Sequence, residues 1–129
     1  MNTHTPFANA AQNIVLIVED DIIIRTALAE YLRHCGYIVI EAAGEKEAMK
    51  VFSESFAKVD VLFVAIVAFG LMQWVRQHQP GVKVVVAGNF EKAAQVAGDL
   101  CHQGPHLKKP YEPQQVIEWI KRVRAAQDK

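Results

Sequence analysis

The sequence predicts one α/β domain built on a parallel sheet, and three observations carry that prediction. The chain has 129 residues, enough for one hydrophobic core and not two. Its composition, 51% hydrophobic and 22% charged, is that of a globular domain. Most directly, five short apolar runs alternate with five longer stretches of helical period. Repeated strand–helix alternation requires a parallel sheet with right-handed crossovers and helices on both faces.

Each element has its own signal. Residues 14–18 (IVLIV) form a continuous, mostly β-branched run, as a strand buried on both faces should. Residues 21–35 carry Ile24, Leu28, Leu32 and Cys35 on one helical stripe, which Gly36 ends. Residues 37–41 read as the second strand, and residues 45–56 as a helix with Ala48, Val51, Phe52 and Phe56 on one face. Residues 61–65 form the third strand. Leu71, Val75 and His78 then mark a third helix that stops before Pro80 and Gly81. Residues 83–87 are the fourth strand. Residues 91–102 make the weakest helix, and the expected mobile element, because Gly98 costs about 1 kcal/mol there relative to Ala. His106 and Leu107 give a short fifth strand. Glu112 and Pro113 open the last helix, with Val116, Ile117, Ile120 and Val123 facing inward. Residues 1–13 read as a flexible extension, leaving residues 14–127 as the domain.

Composition also excludes. Lys plus Arg (14) balances Asp plus Glu (14), which disfavours a general electrostatic grip on nucleic acid or an anionic membrane. The longest apolar run, from Val61 to Met72, falls well short of the roughly 20 residues that span a bilayer. The start of the chain has neither a basic segment nor an apolar core, which argues against a secretory signal. Cys35 and Cys101 stand isolated and are expected to be reduced thiols of a cytoplasmic protein. His102 and His106 are separated by Gly104 and Pro105, so they share no helical face, and nothing completes a tetrahedral metal set. Neither a G-x-G-x-x-G turn nor a P-loop occurs. Trp74 and Trp119 are expected to pack at the core or its rim, and Lys121, Arg122 and Arg124 to form a solvated helix face.

In a parallel sheet, function collects at the carboxyl ends of the strands. After the first strand stand Glu19, Asp20 and Asp21, and after the fifth stand Lys108, Lys109 and Pro110. Acids at a helix start have a plain explanation as caps for its orphan N–H groups. A lysine facing them suggests instead a small site for a divalent ion and a phosphoryl group.

The segments IVLIVEDDIIIR and HLKKPY, both in register within the five-fold alternation, resemble the receiver domain of two-component response regulators of the chemotaxis-regulator kind. The resemblance covers residues 14 to about 125. It implies a flavodoxin-like, doubly wound sheet of order 2-1-3-4-5. It also implies Mg²⁺ on Glu19 and Asp20, with Asp21 as a less essential neighbour. Lys109 would pair with the phosphoryl group, and Pro110 would follow a cis peptide bond.

Several positions depart from the family pattern. Where the third strand should end in the phosphate-accepting aspartate stands Ala65, whose methyl group cannot form an acyl phosphate. Asp60 lies at the other end of that strand, about 16 Å away. The following loop, with Ile66 to Phe69 before Gly70, is roughly three to five residues short, and the family draws a backbone carbonyl for Mg²⁺ from that region. The hydroxyl that senses the phosphoryl group is replaced by Ala87, or by Gly88 if the register slips by one. His106 stands where the family often has a switching aromatic.

The expectation is therefore a stand-alone receiver-like signalling protein, not an enzyme, that no longer accepts phosphate. Mg²⁺ binding is expected to be weak at best, with Lys109 approaching the acids in the cation's place. Function would run through a protein partner, such as a histidine kinase or a downstream regulator, or through a homodimer formed by the fourth helix, fifth strand and fifth helix. Two alternatives stand beside it. One is a working phosphorelay receiver with another acceptor residue. The other is a flavodoxin-like small-molecule module, although three carboxylates would repel a flavin phosphate.

Overall fold

The computed structural model of the chain describes residues 14–54, 58–66, 68–104 and 109–127. The expectations for residues 1–13, for the strand at His106 and Leu107, and for Phe56, His106 and Lys108 lie outside the described residues.

The elements run β1 (Ile14–Val18), α1 (Ile22–His34), β2 (Ile38–Ala42), α2 (Glu45–Glu54), β3 (Val61–Val64), α3 (Phe69–His78), β4 (Lys83–Val86), α4 (Phe90–Gln103) and α5 (Pro113–Gln127). The strands are parallel in the order β2-β1-β3-β4, matching the first four places of the expected sheet. Each strand falls within one residue of its expected bounds.

Alternation along β1 builds two cores, because successive side chains of a strand point to opposite faces. Val15 and Ile17 enter a core with α1, α4 and α5, while Leu16 and Val18 enter one with α2 and α3. Val15 through Val18 are all fully buried, which is why this strand reads as an unbroken apolar run. Helix α1 ends where Gly36 takes φ of 101°, a left-handed conformation that side-chain-bearing residues rarely adopt. Trp74 stacks on His78 with ring centroids 4.9 Å apart. Trp119, expected at the core or its rim, is 41% exposed and lines an apolar groove between α1 and α5.

Two expectations change here. Helix α4 is a regular fourteen-residue helix, capped by the Asn89 side chain, which accepts the Lys92 N–H at 2.8 Å. Its small residues Ala93, Ala94, Ala97 and Gly98 form its buried face. Gly98 is therefore a contact and not an interruption: a Cβ there would fall well inside van der Waals distance of Cγ of Pro113, on α5.

The second correction concerns the cysteines. Cys35, at the C-terminal cap of α1, and Cys101, in the last turn of α4, form a disulfide with Cα atoms 5.3 Å apart. Both are fully buried. Their separation of 66 residues carries no local pattern, so the isolated-thiol reading missed the pair, and the inference of a reducing compartment loses its basis. A cross-link over such a loop stabilises by about 4 kcal/mol in the chain-entropy account. Beside it the Tyr37 hydroxyl donates to the Leu100 carbonyl at 2.5 Å. Among the described residues no helix is long and apolar enough to cross a membrane.

The α4–α5 contact sets a sign. Gly98→Ala should destabilise the fold by about 1–2 kcal/mol in urea denaturation, because overpacking against the rigid Pro113 ring outweighs the propensity gain of roughly 1 kcal/mol. A gain in stability would mean that α4 and α5 do not touch at this point.

Candidate functional site

The parallel ladder brings the strand ends level. The Glu19 N–H donates to the Ala42 carbonyl at 3.0 Å, that of Ala65 to Val18 at 2.9 Å, and that of Ala87 to Val64 at 2.9 Å. Glu19, Ala65 and Ala87 thus follow β1, β3 and β4 side by side. Pairing of Val64 with Val86 makes Ala87, and not Gly88, the level neighbour of Ala65. Asp60 lies at the far end of the sheet, where its Oδ2 accepts the Ile14 N–H at 3.0 Å.

The carboxylates of the acidic run have three different environments. Asp21 is the N-cap of α1, and its Oδ1 accepts the N–H groups of Ile23 at 2.8 Å and Ile24 at 3.2 Å. Its Oδ2 pairs with the Arg124 guanidinium of α5. That guanidinium also lies 5.8 Å from the ring centroid of Phe90, the first residue of α4, within cation–π range. The expected solvated face of Lys121, Arg122 and Arg124 is corrected accordingly: Arg124 turns toward the strand ends, while Lys121 and Arg122 stay exposed.

Glu19 is the sole buried charged residue among the described residues, 5% exposed. Its Oε2 accepts the Asp21 N–H at 2.7 Å, and its carbonyl accepts from Arg25 at 3.0 Å. Burial pushes its carboxyl up from 4.5 to about 7, with help from the neighbouring Asp20 and Asp21 charges and against the pull of the Asp21 N–H. Asp20 is exposed. Arg25 reaches on to Glu41 at 3.2 Å, and Arg33 meets the same carboxylate at 3.1 Å, which ties α1 to the end of β2.

Lys109 is half-buried and forms no ion pair with an acid among the described residues. The expected cis bond before Pro110 is also corrected, since no described peptide bond is cis. The cis form lies about 0.5–1 kcal/mol uphill and needs packing to select it, whereas Pro110 is exposed. The short loop after β3 is closed by a residue that sequence reading did not single out. Oε1 of Glu45, from α2, accepts the Leu71 N–H at 2.6 Å, supplying the cap that Ala68 lacks.

This donor set does not fit the Mg²⁺ that the resemblance implies. A hard divalent cation asks for about six oxygen ligands. Here Glu19 is buried, bonded and proton-holding up to about pH 7, and both Asp21 oxygens are occupied. Among the described residues no three His, Cys, Asp or Glu side chains converge as a ligand set.

No protein-family model matches the chain. The transcriptional regulatory protein GltR of Pseudomonas aeruginosa is 29% identical over 113 residues, 83% of this chain and 47% of that protein. A probable transcriptional regulator, ycf27 of Pyropia yezoensis, is 25% identical over 118 residues, 89% of this chain and 49% of its own length. The chain spans about half the length of these curated relatives. Among solved structures, a putative response regulator from Chloroflexus aurantiacus shares 27% identity at a TM-score of 0.53, over 88% of this chain and 98% of that one. The chemotaxis response regulator CheY4 of Vibrio cholerae gives 0.55 at 24% identity, over 87% and 98%.

Glu19 makes the fold pH-dependent in a defined direction. Its folded pKa of about 7 lies above the ordinary 4.5, so the folded state keeps a proton that the unfolded state releases. This contribution is fully present below about pH 4.5 and is lost as pH rises through about 7. Between about pH 5 and about pH 8 the urea midpoint should fall by the equivalent of about 1–3 kcal/mol. Glu19→Gln should flatten that slope, and an unchanged slope would place the titration elsewhere.

Proposed function

We propose, for a chain whose sequence is similar to response regulators and whose fold is that of their receiver domains, a receiver-like signalling module that has given up phosphoryl acceptance and works by binding another protein. One observation carries this reading. Ala65 and Ala87, level neighbours at the ends of β3 and β4, offer two methyl groups where a phosphoryl relay needs a carboxylate and a hydroxyl. A methyl group has neither the lone pair to form an acyl phosphate nor the proton to hydrogen-bond one.

The rest of the site agrees. The Asp21 carboxylate, which in a working site would lie beside a metal-bound phosphoryl group, is neutralised from within by Arg124. Weak or absent Mg²⁺ binding follows, because a cation would have to displace that guanidinium and deprotonate Glu19. On this reading the module is a binding protein and not an enzyme. Its partners are a histidine kinase, a downstream regulator or a second copy, met through the surface of α4 and α5. The acting unit is residues 14–127, with residues 1–13 as an extension.

The test is chemical. Incubation with acetyl phosphate and Mg²⁺, followed by intact-mass measurement, should give no species heavier by one phosphoryl group. Ala65→Asp with Ala87→Thr should leave partner binding unchanged. Phosphoryl uptake by the unmodified chain would mean an acceptor other than the position of Ala65 and would replace this reading with that of a working receiver.

A further inference from the structure

We infer that the Cys35–Cys101 disulfide is the input element of this domain, a thiol–disulfide switch that sets how α4 is docked. The inference deepens the phosphate-independent reading, since it names what replaces the phosphoryl signal, and it stands on the placement of the two sulfurs.

The cross-link joins the C-terminal ends of α1 and α4, beside the Tyr37–Leu100 hydrogen bond. Cys35 caps α1, and Cys101 sits in the last turn of α4. The buried face of α4 is made of Ala93, Ala94, Ala97, Gly98, Leu100 and Cys101. Small side chains remove little apolar area from water, and the hydrophobic term scales with that area. Leu100 is the one large aliphatic side chain among them, with Phe90 and Val96 only partly buried at the edge of the core, so the covalent bond adds to a light apolar contact.

In the middle of α4, Gly98 lies against Pro113 of α5, and the other fasteners are at the helix ends. At the C-terminal end of α4 the Tyr37 hydroxyl meets the Leu100 carbonyl at 2.5 Å, and the exposed Lys83 ammonium meets Gln103 Oε1 at 3.1 Å. At its N-terminal end Phe90 lies against Arg124, which leads directly to Asp21 and the strand ends. A change in the docking of α4 is thereby coupled to the acidic cluster through a single side chain. The opposite face of α4, with Glu91, Lys92, Gln95 and Asp99, is exposed and offers the surface a partner would read.

The chemistry balances with a dithiol donor. The donor's thiolate attacks one sulfur and the Cys35–Cys101 bond breaks. Two electrons and two protons pass to the pair, giving two thiols, and the donor closes to its own disulfide. Because both sulfurs are fully buried, attack requires the C-terminal end of α4 to open first. A reduced pair then remains in an apolar site as two small hydrophobic thiols, without the bond that fixed the helix.

Hydrogen exchange read by mass spectrometry on the full chain, air-oxidised and then reduced with dithiothreitol, tests the inference. Amides of residues 91–103 should speed up on reduction by about tenfold or more beyond any change in β1 and β3. The Cys35→Ser, Cys101→Ser double variant should match the reduced form in either buffer. Unchanged protection of α4 on reduction would overturn the inference, since packing alone would then hold the helix. An equal loss of protection in all elements would overturn it as well, leaving a staple for the whole fold. Failure of the oxidised chain to form the bond, shown by two titratable thiols after denaturation, would also overturn it. Phosphoryl uptake is read separately by intact mass, so failure of the phosphate-free reading is not confused with failure here.

Discussion

The parallel ladder between β1, β3 and β4 is the constraint on which the rest of the structure depends. Pairing Val18 with Val64, and Val64 with Val86, leaves no freedom in which residues emerge side by side at the carboxyl edge. A slip of one position would turn every side chain of β1 to the wrong face and exchange the contents of the two cores. The register is therefore held by the burial of Val15 through Val18 and of Val61 through Val64, far from the chemistry it decides. The same register that places Glu19 beside Ala65 also places Ala87 beside it, so the two methyl groups on which the proposed function rests fall at adjacent points of one row.

Around that row the charges are satisfied by the chain itself. Asp21 caps α1 with one oxygen and meets Arg124 with the other, joining the first helix to the last. The side chains of this pair are 41% and 32% exposed, so solvent screens it, and its direct contribution to stability is well under that of a buried pair. Its greater effect is on position, because the guanidinium also lies against Phe90 and so links α1, α4 and α5. Glu19 is costlier. A buried carboxyl with one N–H donor keeps its proton to about pH 7, and a site that keeps its proton is a poor one for a divalent cation.

Local features of this fold were legible in the sequence, and contacts between distant segments were not. The strand bounds, the stop at Gly36, the capping by Asp21 and the opening of α5 at Pro113 all follow from periodicity and short-range hydrogen bonding. The identity of the strand-end residues was legible too, because a strand's end can be counted. Arg124 lies 103 residues from Asp21, and nothing in a run of basic residues on a helix says which one turns inward. Cys101 lies 66 residues from Cys35, and Glu45 lies 26 from the amide it caps. Gly98 was misjudged for a related reason: helix propensity measures a helix alone, whereas this glycine answers to the Pro113 ring of another helix. Arg25 did leave a signal, since a cation in the first turn opposes the helix dipole and asks for a partner, which Glu41 provides.

The central claim, that the strand-end row no longer takes a phosphoryl group, is tested most directly by amide NMR spectra recorded with and without Mg²⁺ and beryllofluoride. Beryllofluoride is a tetrahedral phosphoryl mimic and needs a carboxylate oxygen to hold it. The account predicts that the Glu19, Ala65 and Ala87 amides, and those of α4, keep their positions as the mimic is added. Saturable shifts of the Ala65 and Ala87 amides that spread into α4 would contradict it, because they would reveal an acceptor and a working relay at the ends of β3 and β4.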